Sequence, residues 1–380
     1  MKIVFKLGLC LAVSACGGGE DDGLADAPAV IENYATIVHT SYEETAAKAD
    51  DLRVAIEAFL ANPDALTLSA AQDAWLAARE PYGQTEGFRF YDGPIDNPTD
   101  GPEGRMNAWP LDEAYIDYVE GDADAGIINH PETFPELTKD ILAAQNEKGA
   151  EENISTGYHA IEFLLWGQDF DDAGPGQRPF TDYLTIGGTS QHQDRRAQYL
   201  SIVTELLVDD LDSVVVQWAP GEANYGADFQ AVDSRESLRR ILQGMGSLSG
   251  SELSGERMGT ALDNRDQEDE HSCFSDNTHR DLRANALSMQ NIYVGKFGTV
   301  DGPGLDEIVA ARDPELDAKM QAQLQETVDL IESIPAPFDQ AIMDDADGRV
   351  KIKAAIDALK AQTQTTVEIA TLLGITINLE

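Results

Sequence analysis

Apolar residues recur every three to four positions along most of the chain, which is the spacing of one face of an α-helix. Alternating patterns typical of β-strands are scarce. The pattern therefore predicts an all-α protein. The predicted helices span residues 28–61, 69–90, 111–119, 137–147, 154–166, 190–218, 235–258, 277–294, 315–333 and 345–373.

Helix-capping and helix-breaking residues set several of these boundaries. Asn62 and the proline after it end the first helix, and Ser69 is expected to cap the second. Pro81 lies inside the second helix and should kink it, because proline lacks the N–H that an interior turn requires. Gly167 and Gly295 are predicted to close two later helices, since glycine readily adopts the left-handed conformation.

Two loops rich in Gly, Pro, Asn and Asp interrupt the helices at residues 91–109 and 169–188. Loops of this length in a compact domain are usually functional or disordered. The second loop divides the chain into parts of similar size. We therefore predict two helical-bundle domains, an N-terminal bundle over residues 28–185 and a C-terminal bundle over residues 186–380.

Residues 1–15 have the features of an export signal, with two lysines followed by an apolar run too short to span a bilayer. A branched apolar residue and two small residues then precede Cys16, and this pattern resembles the lipobox of bacterial lipoproteins. The resemblance implies cleavage before Cys16 and acylation of that cysteine, with residues 16–27 as a flexible tether. The alternative is an ordinary signal peptide in which Cys16 has no role.

No later stretch of the sequence is long and apolar enough for a transmembrane helix, so the lipid would be the only membrane anchor. Gly17 follows the cysteine, as in lipoproteins sorted to the outer membrane. The expected location is the bacterial cell envelope, at the outer membrane facing the periplasm. Cys10 would leave with the signal, so Cys273 has no cysteine partner and no internal disulfide is expected.

The chain is strongly acidic, with 69 Asp and Glu against 26 Lys and Arg and a formal net charge of -43. This charge excludes non-specific binding to nucleic acid or to anionic lipid, because both partners are themselves negative. It permits the attraction of cations. Most of the carboxylates are expected to form a solvated surface of the kind suited to a saline habitat.

The densest chemical signal lies in the predicted helix 154–166, where His159 and Glu162 are three residues apart and share one face. An imidazole and a carboxylate at this spacing can chelate one metal ion. The surrounding residues are apolar on nearly all sides, so the pair is expected to be buried. The alternative is a core histidine hydrogen-bonded to a glutamate without metal. The His-Glu-x-x-His signature of common zinc proteases is absent from the sequence.

Two further segments carry candidate groups. On the predicted second helix, Arg79, Tyr82 and Glu86 fall on one stripe. Glu268 and His271 form a Glu-x-x-His pair, the spacing used in di-iron bundles. Asp276 is expected either to cap the helix that starts at Asn277 or to face the site.

Four segments together resemble the imelysin family: Trp75 to Asp96, Gly157 to Gly167, Gly255 to Met258, and Asp266 to Gly295. The family includes the iron-regulated protein A type and is similar to the helical domain of periplasmic iron-uptake proteins. The resemblance implies an all-helical, two-domain fold with the functional site at or near the interface of the two bundles.

The resemblance also implies roles for individual residues. Glu86 would be a third metal ligand beside His159 and Glu162, and Arg79 would orient or neutralise carboxylates around the metal. The metal would be divalent, with iron favoured and zinc possible, because mixed histidine and carboxylate ligands suit both. The residues expected to line the site are Arg79, Tyr82, His271, Ser272 and Asp276.

Three functions are compatible with these features. The first and favoured one is a lipoprotein that binds iron, another divalent metal or a metal complex for uptake, with a transport partner that the sequence does not identify. The second is a metallopeptidase, since the family is grouped with peptidases; it would need an open water position and a general base. The third is an interaction module in which His159 and Glu162 form a core polar pair without metal.

Overall fold

The computed structural model describes residues 24–170, 174–343 and 346–379. The predicted lipoprotein signal, Cys16 and most of the tether lie outside the described residues. No helix within these three ranges is long and apolar enough to cross a membrane.

The all-α class is confirmed, because the described residues form sixteen α-helices and only one short antiparallel sheet. The α-helices are α1 (Ala27–Ala61), α2 (Ala65–Gly83), α3 (Glu103–Met106), α4 (Glu113–Ile116), α5 (Gly126–Asn129), α6 (Lys139–Ala143), α7 (Gly157–Trp166), α8 (Gln193–Trp218), α9 (Tyr225–Ala231), α10 (Ser234–Ser247), α11 (Gly259–Asn264), α12 (Thr278–Val294), α13 (Leu305–Ala310), α14 (Pro314–Glu332), α15 (Phe338–Ile342) and α16 (Ala346–Leu372). A π-helix spans Leu248–Arg257, and 3₁₀-helices span Glu86–Phe88, Phe180–Tyr183 and Gln267–Asp269. The sheet pairs β1 (Lys296–Phe297) with β2 (Val300–Asp301).

The helices pack in two groups over one continuous hydrophobic core. In the first group α1 lies along α2 and α8, and α7 packs against the same two helices. In the second group α14 packs on α16, next to α10, α12 and the π-helix. α12 also packs on α2 and so joins the groups. α8 packs mainly against helices of the N-terminal half, above all α1 and α7. The predicted domain boundary at residue 185 would place α8 in the C-terminal bundle, and this boundary stays a prediction.

The predicted ends hold for α1, which stops at Asn62, and for the helices closed by Gly167 and Gly295, whose φ values are 73° and 70°. The second helix differs at both ends. Asp64, not Ser69, caps α2, because its carboxylate accepts the first free backbone N–H groups of the helix. α2 then ends at Gly83, two residues after Pro81. Glu86 therefore does not continue the helical face of Arg79 and Tyr82, because it lies in the 3₁₀-helix beyond α2.

The predicted helix 235–258 changes character halfway, because α10 ends at Ser247 and the π-helix Leu248–Arg257 continues it. A π-helix widens each turn by one residue and shifts every later side chain around the axis. Segments of this kind are rare and frequently occur at functional sites. Here the wide turns place Glu252, Glu256 and Arg257 on the wall of one cavity.

A buried ion network ties the loop after α7 to α8. Asp117 accepts from Arg178 Nη1 at 2.8 Å and from Arg196 Nε at 2.6 Å, and all three side chains are almost fully buried. Replacing Asp117 with Ala leaves the buried Arg196 guanidinium without a carboxylate and leaves Arg178 with only Asp182, at 3.4 Å. We expect a loss of about 3–5 kcal/mol in the free energy of unfolding, measured by urea denaturation.

The matched control for that variant is Asp50→Ala, which removes one of the two exposed carboxylate partners of Arg53. An exposed pair of this kind contributes about 1 kcal/mol or less. Equal losses for the two variants would contradict a structural role for the buried network.

Candidate metal centre

The centre is built on α7, whose ten residues are all buried. α7 starts at Gly157, which has a φ of 86° and lies against α3. A Cβ at this position would stand 2.6 Å from the carbonyl oxygen of Met106, so only glycine permits this approach. One turn into the helix, His159 and Glu162 share a face, as their spacing predicts.

His159 and Glu162 form a hydrogen-bonded pair. His159 Nδ1 lies 2.9 Å from Glu162 Oε2. The second carboxylate oxygen, Oε1, accepts from the backbone N–H of Ser275 at 2.9 Å and from its hydroxyl at 2.6 Å. Both oxygens of Glu162 are therefore engaged, one by the histidine and one by the segment that precedes α12.

The other ring nitrogen of His159 has no partner. Nε2 is buried and makes no hydrogen bond among the described residues. The ring of His271 lies 4.8 Å away between centroids, and the ring of Trp109 lies 5.0 Å away. A buried polar nitrogen without a partner costs free energy, and a bound metal ion would give this nitrogen a partner.

The surroundings of the pair move both pKa values. Burial lowers the pKa of His159 well below its ordinary value, helped by the positive charges of Arg79 and Arg257. Burial raises the pKa of Glu162 to about 8, against the opposing effect of the Ser275 hydroxyl and Arg79. At neutral pH the metal-free pair is therefore a neutral imidazole beside a largely protonated Glu162 carboxyl group, and not an imidazolium beside a carboxylate.

His271 is held between a cation and an anion. Its Nδ1 lies 3.5 Å from Arg79 Nη2 and 3.8 Å from Asp281 Oδ2. Arg79 also donates to Asp281 Oδ1 at 3.1 Å, and the Ser272 hydroxyl donates to Asp281 Oδ2. Arg79 and Ser272, both predicted to line the site, therefore meet around the carboxylate of Asp281.

Glu86 has different partners from those predicted. Its carboxylate accepts from Arg89 at 2.8 Å, from Arg257 at 3.0 Å and from Asn107 at 3.2 Å. Burial opposes its ionisation, but the guanidinium groups of Arg257 and Arg89 outweigh burial and lower its pKa. No contact joins Glu86 to the His159 pair in the described part of the chain.

Within residues 24–170, 174–343 and 346–379, no three His, Cys, Asp or Glu side chains converge as a ligand set. The assignment of His159, Glu162 and Glu86 as metal ligands stays a prediction.

Tyr82 and Asp276 complete the predicted set. Tyr82 is buried beside Tyr158, with ring centroids 4.8 Å apart, and the Arg79 guanidinium lies 5.2 Å above its ring. Asp276 adopts a left-handed φ of 56°, and Asn277 takes the N-cap position without a side-chain hydrogen bond. Asp276 is therefore not the N-cap residue that the sequence suggested, because Asn277 occupies that position.

A cavity of about 330 Å³ opens towards the centre. His271, Trp109 and Asn107 form part of its wall. The rings of His271 and Trp109 also contact the ring of His159. Its charged lining is strongly acidic, with six carboxylates against two guanidinium groups. The lining carboxylates are Glu103, Glu147, Glu151, Glu252, Glu256 and Asp269, and the guanidinium groups are Arg89 and Arg257.

Several contributors were absent from the sequence-based set. Ser275 and Arg257 lie in segments that resemble the imelysin family, so the resemblance marked their neighbourhood but not their contacts. Asn107 links Arg79 to Glu86 from the irregular loop, and nothing in the local sequence distinguishes it from other loop residues.

Replacing Ser275 with Ala removes one of the two donors to Glu162 Oε1 and leaves the backbone N–H in place. Residues that hold a ligand from outside the coordination shell typically contribute 10–100-fold to metal affinity, so we expect a loss of about tenfold. Competition with a chelating dye measures it. Ser251→Ala, which removes an intrahelical hydroxyl contact to the carbonyl of Ser247, is the control. An unchanged affinity in Ser275→Ala would contradict the positioning role.

Comparison with known proteins agrees with this architecture. Residues 38–366 match the family described as Imelysin. Iron-regulated protein A of Synechococcus elongatus is 25% identical over 368 residues, which cover 94% of this chain and 89% of that protein.

Two solved structures share the fold. One, described as an iron-regulated protein A precursor from Parabacteroides distasonis, has a TM-score of 0.71 at 20% identity and covers 95% of this chain and 97% of its own. The other, an imelysin-like protein from Psychrobacter arcticum, has a TM-score of 0.65 at 16% identity and covers 92% and 97%. Because the family match spans most of the sequence, the chain belongs to the imelysin family.

Proposed function

We propose that this protein binds a divalent metal cation, with ferrous iron as the favoured cargo, through the Nε2 atom of His159. The observation that carries the proposal is the buried nitrogen without a hydrogen-bond partner. Its ring is fixed from the opposite side by a carboxylate. Metal-binding histidines typically donate their other ring N–H to a carboxylate or carbonyl, which orients the ring and makes the free nitrogen a better ligand.

This arrangement supports a particular role for Glu162. Its two oxygens are occupied by His159 and Ser275, so in this conformation Glu162 orients the histidine instead of contacting the metal. The Glu162 carboxylate would also offset part of the positive charge brought by the cation. In the His-x-x-Glu motif, His159 is then the metal ligand and Glu162 is the residue that orients it.

The charge of the cavity favours a cation as the cargo. Glu147, Glu151 and Glu256 on its wall are exposed and form no ion pair with a described cationic residue. Arg89 and Arg257 are already paired with Glu86, Glu103 and Glu252. A wall of this composition concentrates cations and repels anionic chelates. Its volume is at the small end of the range for ligand pockets.

Iron is favoured among divalent metals because a relative that covers most of this chain is called Iron-regulated protein A. Imidazole with oxygen donors suits iron, zinc and manganese. We propose that the cargo is held for uptake at the cell envelope, with Cys16 acylated as the membrane anchor. The metallopeptidase alternative requires a general base beside the metal. Glu86 is poorly placed for that role, since two guanidinium groups hold its carboxylate.

The test is a titration of the purified, chelator-stripped protein with anaerobic ferrous iron, zinc and magnesium, followed by calorimetry. The same protein is titrated with ferric citrate and haemin. Saturable one-to-one binding of ferrous iron and zinc, without magnesium binding, supports the proposal. Binding of haemin or ferric citrate in the absence of free-cation binding would replace it with a metal complex as cargo.

A further inference from the structure

We propose that His271 is a second ligand of the same metal, so that two imidazole nitrogens hold the cation while the carboxylates of Glu162 and Asp281 support them from outside. This inference rests on the proposed function and extends it, because it assigns the coordinating atoms. It also departs from the ligand set suggested by the sequence, in which Glu162 and Glu86 contact the metal directly.

The two rings are close enough to share one ion. Their centroids are 4.8 Å apart and their planes are inclined by 60°. Both side chains are at least 95% buried. They come from distant parts of the chain, since His159 lies on α7 and His271 lies in the segment between the 3₁₀-helix Gln267–Asp269 and α12. Tertiary packing, and not a local motif, brings them together.

Each histidine has an acidic residue beside its Nδ1 atom. Glu162 is 2.9 Å from His159 Nδ1, and Asp281 is 3.8 Å from His271 Nδ1. Asp281 is itself fixed by Arg79, by the Ser272 hydroxyl and by Asn277 at 3.3 Å. The two carboxylates are thus anchored from behind. In the tautomer with Nδ1 protonated, His159 turns a bare Nε2 away from Glu162. His271 Nδ1 accepts from Arg79 Nη2 at 3.5 Å in the metal-free protein, so coordination by its Nε2 requires the ring proton to move to Nδ1, which faces Asp281 at 3.8 Å.

Neither Nε2 atom has a hydrogen-bond partner among the described residues, and that of His159 is fully buried. His271 lines the acidic cavity, whereas His159 lies behind it and contacts it through the rings of His271 and Trp109. A cation that enters the cavity therefore reaches His271 before His159. The order of residues along this path agrees with a shared site at the inner end.

Two imidazole ligands have consequences for selectivity. They favour borderline metals such as ferrous iron, zinc, nickel and copper over magnesium and calcium, which prefer oxygen ligands. A site with only two protein ligands also keeps positions for water or a small anion, unlike the closed four-ligand sites of structural zinc. Such an open shell suits a cargo that must be released.

The experiment counts imidazole ligands with copper(II) as the probe. One equivalent of copper is added to the stripped protein, and pulsed electron paramagnetic resonance at neutral pH resolves the remote nitrogens of coordinated imidazole. We expect two imidazoles in the wild type and one in His271→Asn. The asparagine amide retains a polar group near the Nδ1 position and removes Nε2, so the support by Asp281 is disturbed little.

Zinc affinity gives a second readout. His271→Asn should weaken zinc binding by more than about 100-fold, because the loss of a ligand exceeds the 10–100-fold effect of an outer partner. The control is His279→Asn, which lies on α12 with its Nδ1 bonded to the carbonyl of Asp276 and lines no part of the cavity. It should keep two imidazoles and wild-type affinity.

The outcomes separate this inference from the proposed function. A single imidazole in the wild type, lost in His159→Asn and retained in His271→Asn, would overturn the role of His271 and leave the metal site at His159 intact. A wild type with no coordinated imidazole would overturn both. The number of imidazoles coordinated in the wild type is measured without any variant. The test therefore remains decisive even if His271→Asn misfolds.

Discussion

Replacement of His159 by asparagine is expected to abolish the metal-dependent rise in the melting temperature of the stripped protein. The asparagine amide can still hydrogen-bond to Glu162 from the position of Nδ1, but it has no atom at the position of Nε2. The variant therefore keeps the buried hydrogen bond and removes only the proposed ligand. Any loss of binding then reports on coordination instead of on unfolding of the core.

The size of the expected effect follows from linkage. A metal at a free concentration 100 times its dissociation constant stabilises the wild type by about 2.7 kcal/mol, which corresponds to several degrees in a chain of this length. The variant should gain less than about one tenth of this free energy at the same metal concentration. Differential scanning fluorimetry with zinc, and with iron under anaerobic conditions, measures the metal-dependent shift in melting temperature of the wild type and of the variant.

The control for this prediction is His39→Asn on α1, where the histidine pairs with Glu43 and does not line the cavity. It should respond to metal as the wild type does. If His159→Asn shows the same metal-dependent stabilisation as the wild type, the cation binds elsewhere and the proposed ligand is wrong.

Metal affinity is expected to rise about tenfold per pH unit up to a pH of about 8 and to level off above it. In the metal-free protein the pKa of Glu162 is raised to about 8, so at neutral pH its carboxyl group holds a proton and donates to His159 Nδ1. For Nε2 to coordinate, the imidazole must carry its proton on Nδ1, and the carboxylate must accept from it. One proton therefore leaves the pair for each metal bound.

The proton on Glu162 also determines how the stability of the metal-free protein changes with pH. Because the pKa of Glu162 is higher in the folded protein than its ordinary value of 4.5, the metal-free protein loses stability as the pH rises from 4.5 to about 8. Metal binding becomes more favourable over the same range, since the proton that competes with it is removed. Folding stability therefore falls and metal affinity rises over the same pH range, and both changes result from the loss of the Glu162 proton.

Glu162→Gln tests this origin, because the amide has nearly the same shape as the carboxyl group and does not titrate. The variant should bind metal with an affinity that is nearly independent of pH between 6 and 8, and calorimetry in buffers of different ionisation enthalpy should show no proton release. A wild type without proton release in this range would contradict the shared-proton arrangement.

The local part of the centre was predictable, because a helix repeats every 3.6 residues and its capping residues act within a few positions. The sequence therefore predicted α7, its end at Gly167 and the shared face of His159 and Glu162. The orienting role of Glu162 was not predictable, since it depends on Ser275, which is 113 residues away along the chain.

Glu86 shows the same limit. The helical stripe that suggested its role ends when α2 stops at Gly83, and the 3₁₀-helix directs Glu86 towards Arg89, Asn107 and Arg257. Arg257 reaches it because the π-helix rotates the side chains that follow Ser247. No periodicity in the sequence distinguishes a π-helix from a longer α-helix, so this contact could only be seen in three dimensions.

Anomalous diffraction from crystals grown with one equivalent of zinc shows directly whether His159 Nε2 holds the metal. We expect a single strong peak about 2.0–2.1 Å from His159 Nε2, with Glu162 still bonded to Nδ1 and Ser275. A peak only at exposed carboxylates, with no scatterer beside His159 Nε2, would contradict it.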